Sequence, residues 1–141
     1  MRHVFLDTSG LIALIHSDDQ FHSTAETIWR HLVTDGTALV VTDLVLIELG
    51  DGLSRLRHRR AAIILRDRLL QMQSVELVEI TRENQQRAWD LFDQRPDKEW
   101  GMTDCISIIV MQDHGIAEVF SLDRHFQQAG FQLLLRDAEP D

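Results

Sequence analysis

A chain of 141 residues, 44% hydrophobic and 26% charged, fits one domain able to bury roughly 68–70% of its unfolded surface and is too hydrophobic to stay disordered. Its net charge of −9, from 14 Lys plus Arg against 23 Asp plus Glu, by itself opposes a polyanionic partner. A lone cysteine, Cys105, excludes an intrachain disulfide and a cysteine-based zinc site. No stretch nears the roughly 20 apolar residues of a membrane span, and Asp7 interrupts any signal-like run, so a cytoplasmic protein is expected.

In chain order, residues 3–6 predict a short buried strand, and Asp7-Thr8-Ser9 supply helix-capping groups ahead of the apolar run from Gly10 to Ile15. Phe21, Ala25, Ile28, Trp29, Leu32 and Val33 recur at helical spacing, with Ser23 and Glu26 spaced as a capping box, and the helix stops near Gly36. Ala38 to Val41 predicts a strand. A helix begins at Thr42-Asp43 and carries Val45, Leu49, Leu53 and Leu56 on one face, with Glu48 beside that face.

An arginine-rich stretch follows, then a helix over 61–72, a strand over 75–80 and a helix over 83–94 that Pro96 ends. Residues 103–114 read as a helix that is apolar nearly all round and stops at Gly115, and strands are expected at 118–122 and 131–135. Strands alternating with helices give an α/β domain with a mainly parallel sheet covered on both faces, its functional groups outside the carboxyl ends of the strands. Residues 1–136 form that single domain, and 137–141 read as a short C-terminal tail.

Asp7 follows the first strand and Asp123 follows a later one, so both carboxylates emerge at one sheet edge. Asp104 opens a helix, and Glu48 lies inside another. Taken singly, each has an ordinary role: Asp7 and Asp104 as helix caps, Asp123 in a turn, Glu48 paired with an arginine. Gathered within ~5 Å, the four acids would repel by roughly 3 kcal/mol per pair at an effective dielectric near 20, a conflict that a divalent cation removes. Hard oxygen donors without cysteine or paired histidines favour Mg²⁺ or Mn²⁺ over zinc, and with them phosphodiester hydrolysis.

Four blocks, FLDTSGLIAL (residues 5–14), TDLVLIEL (42–49), EWGMTDCISIIVM (99–111) and FSLDRHF (120–126), resemble in order the PIN-domain nucleases, and within them the VapC-type toxins of toxin–antitoxin pairs. The resemblance spans nearly the whole chain. It implies a PIN-like α/β/α sandwich with a central, mainly parallel sheet flanked by helices. It further implies an endoribonuclease whose four acids are Asp7, Glu48, Asp104 and Asp123, with Thr8, Ser9 or Thr103 offering hydroxyls nearby.

One or two Mg²⁺ or Mn²⁺ ions would be held by Asp7, Asp104 and Asp123, while Glu48 binds metal or orients the attacking water. An RNA substrate, a cognate antitoxin and a homodimer complete what the family implies. The alternative function is a noncatalytic PIN-like module that binds metal and contacts a protein partner or RNA.

Of the 14 basic residues, Arg55, Arg57, Arg59, Arg60, Arg66 and Arg68 fall in one segment, where Arg55, Arg59 and Arg66 could steer RNA, stay solvated or meet an antitoxin. Trp29 and Trp89 fit helical apolar patterns and are expected in the core, whereas Trp100, just before the Asp104 turn, could bind RNA. No histidine pair has metal-ligand spacing, so the histidines are expected as surface or structural residues, and His125, two residues after Asp123, is the one to test. A phosphate-binding glycine loop, a nucleophile elbow and a dinucleotide fingerprint are all missing, which disfavours a P-loop nucleotidase, a serine hydrolase and a simple dehydrogenase.

Overall fold

The computed structural model describes residues 1–136, so the expected tail at 137–141 lies outside the described residues. The sheet has strands β1 (His3–Leu6), β2 (Ala38–Thr42), β3 (Val75–Val78), β4 (Glu118–Phe120) and β5 (Gln132–Leu133), all parallel, in the order β3-β2-β1-β4-β5. Between them run helices α1 (Thr8–Ile15), α2 (His22–Thr34), α3 (Asp43–Gly52), α4 (Leu56–Gln71), α5 (Arg82–Gln94), α6 (Met102–Asp113) and α7 (Arg124–Gln128). This is the α/β/α arrangement that the alternation of strands and helices anticipates.

The central strands are continuous apolar runs because helices cover both of their faces: Val4, Phe5, Leu6, Leu39, Val40, Val41, Val119 and Phe120 are buried. From β1 the chain moves outward to β2 on one side and later to β4 on the other, which puts a topological switch point between β1 and β4. Their register pairs Leu6 with Phe120. The residues that follow, Asp7 and Ser121, therefore leave the sheet side by side, and the Asp7 amide donates to the Phe120 carbonyl at 3.2 Å.

Gly10 lets α1 lie against that same carbonyl, since a Cβ there would collide with the Phe120 carbonyl group. Gly36 and Gly115 end α2 and α6 in the left-handed conformation, with φ of +66° and +64°. Those two helix stops lie where the sequence predicts them.

Four local expectations differ. Leu56 does not continue the buried face of α3; the helix stops at Gly52, where Gly50 and Gly52 weaken it, and Leu56 instead starts α4 at 88% exposure. As a result α4 begins five residues before the predicted position, and the arginine-rich stretch forms its first turns. Ser23 and Glu26 form no capping box, because the helix starts at His22 and Glu26 pairs with His22 at 3.0 Å and with Arg30 at 3.8 Å. Helix α7, five residues capped by Asp123, is too short to leave a periodic signal.

Candidate active site

Asp7 is the N-cap of α1, and the carboxyl end of β1 delivers it into the interior at 7% exposure. Its Oδ2 accepts from Ser121 Oγ at 2.7 Å, Ser9 Oγ at 3.0 Å and the Ser9 amide at 3.4 Å. Each hydroxyl has one proton, and both are spent on Asp7; the 3.0 Å approach of Ser9 Oγ to Ser121 Oγ adds a close contact and no further donor. The two hydroxyls are themselves fixed as acceptors, Ser9 Oγ from the Leu122 amide at 2.9 Å and Ser121 Oγ from the Asp123 amide at 3.0 Å. Oδ1 takes none of these bonds.

Burial pushes the Asp7 carboxyl up from its ordinary 3.8 to about 6; the Ser121 and Ser9 hydrogen bonds pull it back, and the nearby Asp123 charge raises it again. Asp104, in the first turn of α6, is also held above the ordinary range, first by burial and then by Asp123. Its Oδ2 accepts from the Gly101 amide at 3.0 Å and lies 3.0 Å from His125 Nδ1.

That same nitrogen lies 3.2 Å from Asp123 Oδ1, which also accepts from the His125 amide at 2.9 Å. Asp104, Asp123 and His125 thus offer ligand atoms all within 4.8 Å of one another. Glu48, on α3, is held by α1: Thr8 Oγ1 donates to its Oε1 at 2.8 Å. Because Thr8 is the neighbour of Asp7, the α1 N-terminus ties Glu48 to the β1 acid.

The residues fit a hard divalent cation. Two half-buried carboxylates and an imidazole converge, Asp104 is held above its ordinary range first by burial and then by Asp123, and a buried third carboxyl raised to about 6 lies close enough to Asp123 to feel its charge. A cation would reverse these upward shifts, and carboxylate oxygens suit Mg²⁺ or Mn²⁺. The groups able to hold it are Asp104, Asp123 and His125, with Asp7 beside them.

The other candidates are scattered. Arg55 is the N-cap of α4, and Arg59 and Arg66 lie along it; Arg59 donates to the Ser54 carbonyl at 2.6 Å and Arg66 pairs with Asp67 at 3.0 Å. Among the described residues no hydrogen bond or ion pair links these three arginines to the acids. Trp100 is only 6% exposed; its indole donates to Gln128 Oε1 at 3.1 Å, and the Arg95 guanidinium lies 5.3 Å above its ring. Trp29 packs against the core and Phe120, as expected, but Trp89 is 55% exposed and meets Phe92 edge-on, contrary to its expected burial. Trp89 falls at the border of the apolar face of α5, where helical spacing does not separate core from surface.

Ser121 escaped the sequence reading, and His125 was distinguished only by its nearness to Asp123. Their signal is weak: a hydroxyl and an imidazole flanking an acid at a strand end, inside the block FSLDRHF.

The PIN domain model matches residues 4–132, a span that holds all four acids. Among solved structures, the sarcin-ricin loop cleaving toxin VapC20 of Mycobacterium tuberculosis superposes with a TM-score of 0.81 at 27% identity, over 91% of this chain and 95% of that one. No curated protein sequence matches. With the family model covering nearly the whole chain, and its strand-end acids assembled as described, this chain belongs to the PIN domain family.

Proposed function

We propose that this PIN domain is an Mg²⁺- or Mn²⁺-dependent endoribonuclease and the toxin of a toxin–antitoxin pair. The observation that carries the proposal is the convergence of Asp104, Asp123 and His125 beside the buried Asp7, where the carboxyl ends of β1 and β4 meet the first turn of α6. VapC20, similar over almost its full length, is a sarcin-ricin loop cleaving toxin, which supports a nuclease toxin here.

A divalent cation bound there would stabilise charge on the scissile phosphate and make water a better nucleophile. The chain's own residues supply the geometry. Asp7 is fixed by the Ser9 and Ser121 hydroxyls, and Asp104 by the Gly101 amide and His125. Glu48, oriented by Thr8, binds metal or holds the attacking water and takes its proton. Water adds to phosphorus while the P–O3′ bond breaks and O3′ takes up a proton from solvent, leaving a 5′-phosphate on one fragment and a 3′-hydroxyl on the other.

The protein partners in this proposal are a cognate antitoxin and a second copy of the chain. A homodimer is supported by an exposed apolar face where Ile47 and Trp89 border a cavity of about 380 Å³ with Leu44 and Met102. No helix among the described residues is long and apolar enough to cross a membrane.

The test is cleavage of a pool of structured cellular RNAs by the purified chain with Mg²⁺, with Mn²⁺ and with EDTA, alongside Asp7→Asn and Asp104→Asn. Discrete metal-dependent cuts that both variants lose are expected. Cutting that survives in both variants would place the activity elsewhere, and metal binding without any cutting would favour the noncatalytic module.

A further inference from the structure

Where α5 gives way to α6, the chain encloses a cavity of about 470 Å³, within the range that holds a small ligand. Its apolar lining is Phe92, Pro96, Trp100 and Cys105; its polar lining is Asp93, Arg95, Lys98 and Glu99. Trp100 and Cys105 bracket the turn in which the Gly101 amide holds Asp104. A ligand seated here is therefore a neighbour of the acids without touching them.

Arg95 is fixed in this cavity. Its Nε and Nη2 each donate to an Asp97 carboxylate oxygen at 3.0 Å, and its guanidinium lies 5.3 Å above the Trp100 ring. Trp100 itself is nearly buried, so over that ring a ligand meets the guanidinium plane that the indole supports. Phe92, half-exposed, adds an aromatic surface. Guanidinium planes and aromatic rings are the surfaces on which unpaired nucleobases stack.

We propose that this cavity binds an unpaired guanine of the RNA substrate, stacked on Arg95 and Phe92, with a carboxylate of Asp93 or Glu99 and the Lys98 ammonium reading its edges. The inference deepens the nuclease reading above and rests on it for the source of the guanine.

The mixed lining selects this occupant. A phosphate would meet two cations but also two carboxylates, and Arg95 is already paired with Asp97. An aliphatic side chain would satisfy none of the four charged groups. Guanine alone among the four bases sets two N–H donors, N1–H and the 2-amino group, side by side for one carboxylate, with O6 and N7 as acceptors for a cation. Adenine would turn its N1 lone pair toward the carboxylate, and cytosine and uracil offer it a single donor group. Base pairing would occupy the same guanine edge, so the guanine has to come from a loop or a single strand.

Nuclear magnetic resonance on the metal-free full chain, following the Lys98 and Trp100 signals, measures binding of guanosine, inosine and adenosine independently of cleavage. Guanosine is expected to bind about tenfold tighter than adenosine, with inosine, which lacks the 2-amino group, in between. Asp93→Asn with Glu99→Gln, both at exposed positions, should reduce that preference to about twofold. Arg95→Ala should weaken all three nucleosides alike. Equal binding of guanosine and adenosine by the wild-type chain overturns the proposal, and so does a preference that survives the loss of both acids.

Oligouridylates carrying one guanosine at successive positions then identify the source. With Mn²⁺ the cut should stay at a fixed distance from the guanosine in every member of the set. Cuts placed without regard to the guanosine overturn the proposal and leave the nuclease reading intact. A guanosine preference without cleavage of any member sinks the nuclease reading and retains the guanine site. GTP binding more tightly than the guanosine-bearing oligonucleotides would make the ligand a free nucleotide and overturn its assignment to the substrate.

Discussion

Asp7 is costly to bury as an anion, and its two serine partners offset only part of that cost. A carboxyl whose folded-state value lies above its unfolded one binds its proton more tightly in the folded protein. The resulting stabilisation is complete below 3.8, falls as pH rises through the interval, and is gone above about 6. That shift corresponds to roughly 3 kcal/mol between the two ends of the window. Asp7→Asn has no charge to bury and keeps an acceptor for both hydroxyls. In metal-free protein its thermal midpoint should exceed wild type at pH 7.5, the gap closing toward pH 4, while RNA cleavage falls 100-fold or more; a gap that does not change with pH would refute the assignment of burial as the cause. Ser121 acts through Asp7 as a positioning residue, donating at 2.7 Å and fixing the Asp123 amide. Removing its hydroxyl in Ser121→Ala takes away a bond that favours the anion, worth about one pKa unit. In metal-free protein the pH interval over which the Asp7 stabilisation is lost should move about one unit alkaline, and in the metal-loaded enzyme kcat should fall about tenfold; a fall in rate with an unmoved interval would mean that Ser121 only packs.

At the scale of elements, the position of α1 against β4 decides whether Asp7 and Ser121 meet at all. Gly10 is the point of contact, and Gly10→Ala must push the Phe120 carbonyl away from α1. Overpacking of this kind should cost about 3 kcal/mol and, because β4 leads directly to Ser121 and Asp123, reduce cleavage as well. Differential scanning calorimetry and cleavage on one preparation check both; an unchanged midpoint would mean that the helix shifts freely. Much of this architecture is legible in the sequence, because β1 and β2 are short, mostly apolar runs, α6 is apolar nearly all round, and Gly36, Pro96 and Gly115 punctuate the chain. The α3–α4 break was misplaced because Leu56 keeps the helical spacing of Val45, Leu49 and Leu53 across it, and spacing carries no information about which side of a break a residue joins. The acids were legible by type and by place in the chain, since Asp7 and Asp123 each follow an apolar strand. The pairing of Leu6 with Phe120, which brings Ser121 to Asp7, was not, because register is a property of two strands and neither states it alone.

At the scale of the whole molecule, the −9 charge and the gathered acids point to the same deficit of cation. Mutual repulsion lowers the stability of the metal-free fold, and a divalent ion that binds the folded state but not the unfolded chain restores it by mass action, about 2.7 kcal/mol at 100 times its dissociation constant. For a domain of this size that is a rise of roughly 10 °C in the unfolding midpoint. General screening of a −9 surface would also raise the midpoint, so the two causes have to be separated by the control. Mn²⁺ and NaCl at matched ionic strength should differ, with the large rise confined to Mn²⁺. Asp104 is the acid to remove, because its carboxylate contributes to the convergent group while its bond to the Gly101 amide can pass to the amide oxygen of Asp104→Asn. That variant should keep the small response to NaCl and lose most of the response to Mn²⁺. Equal responses to both salts in the wild-type chain would mean that the acids act only through their summed charge, and the strand-end cluster would then lose its standing as a metal centre.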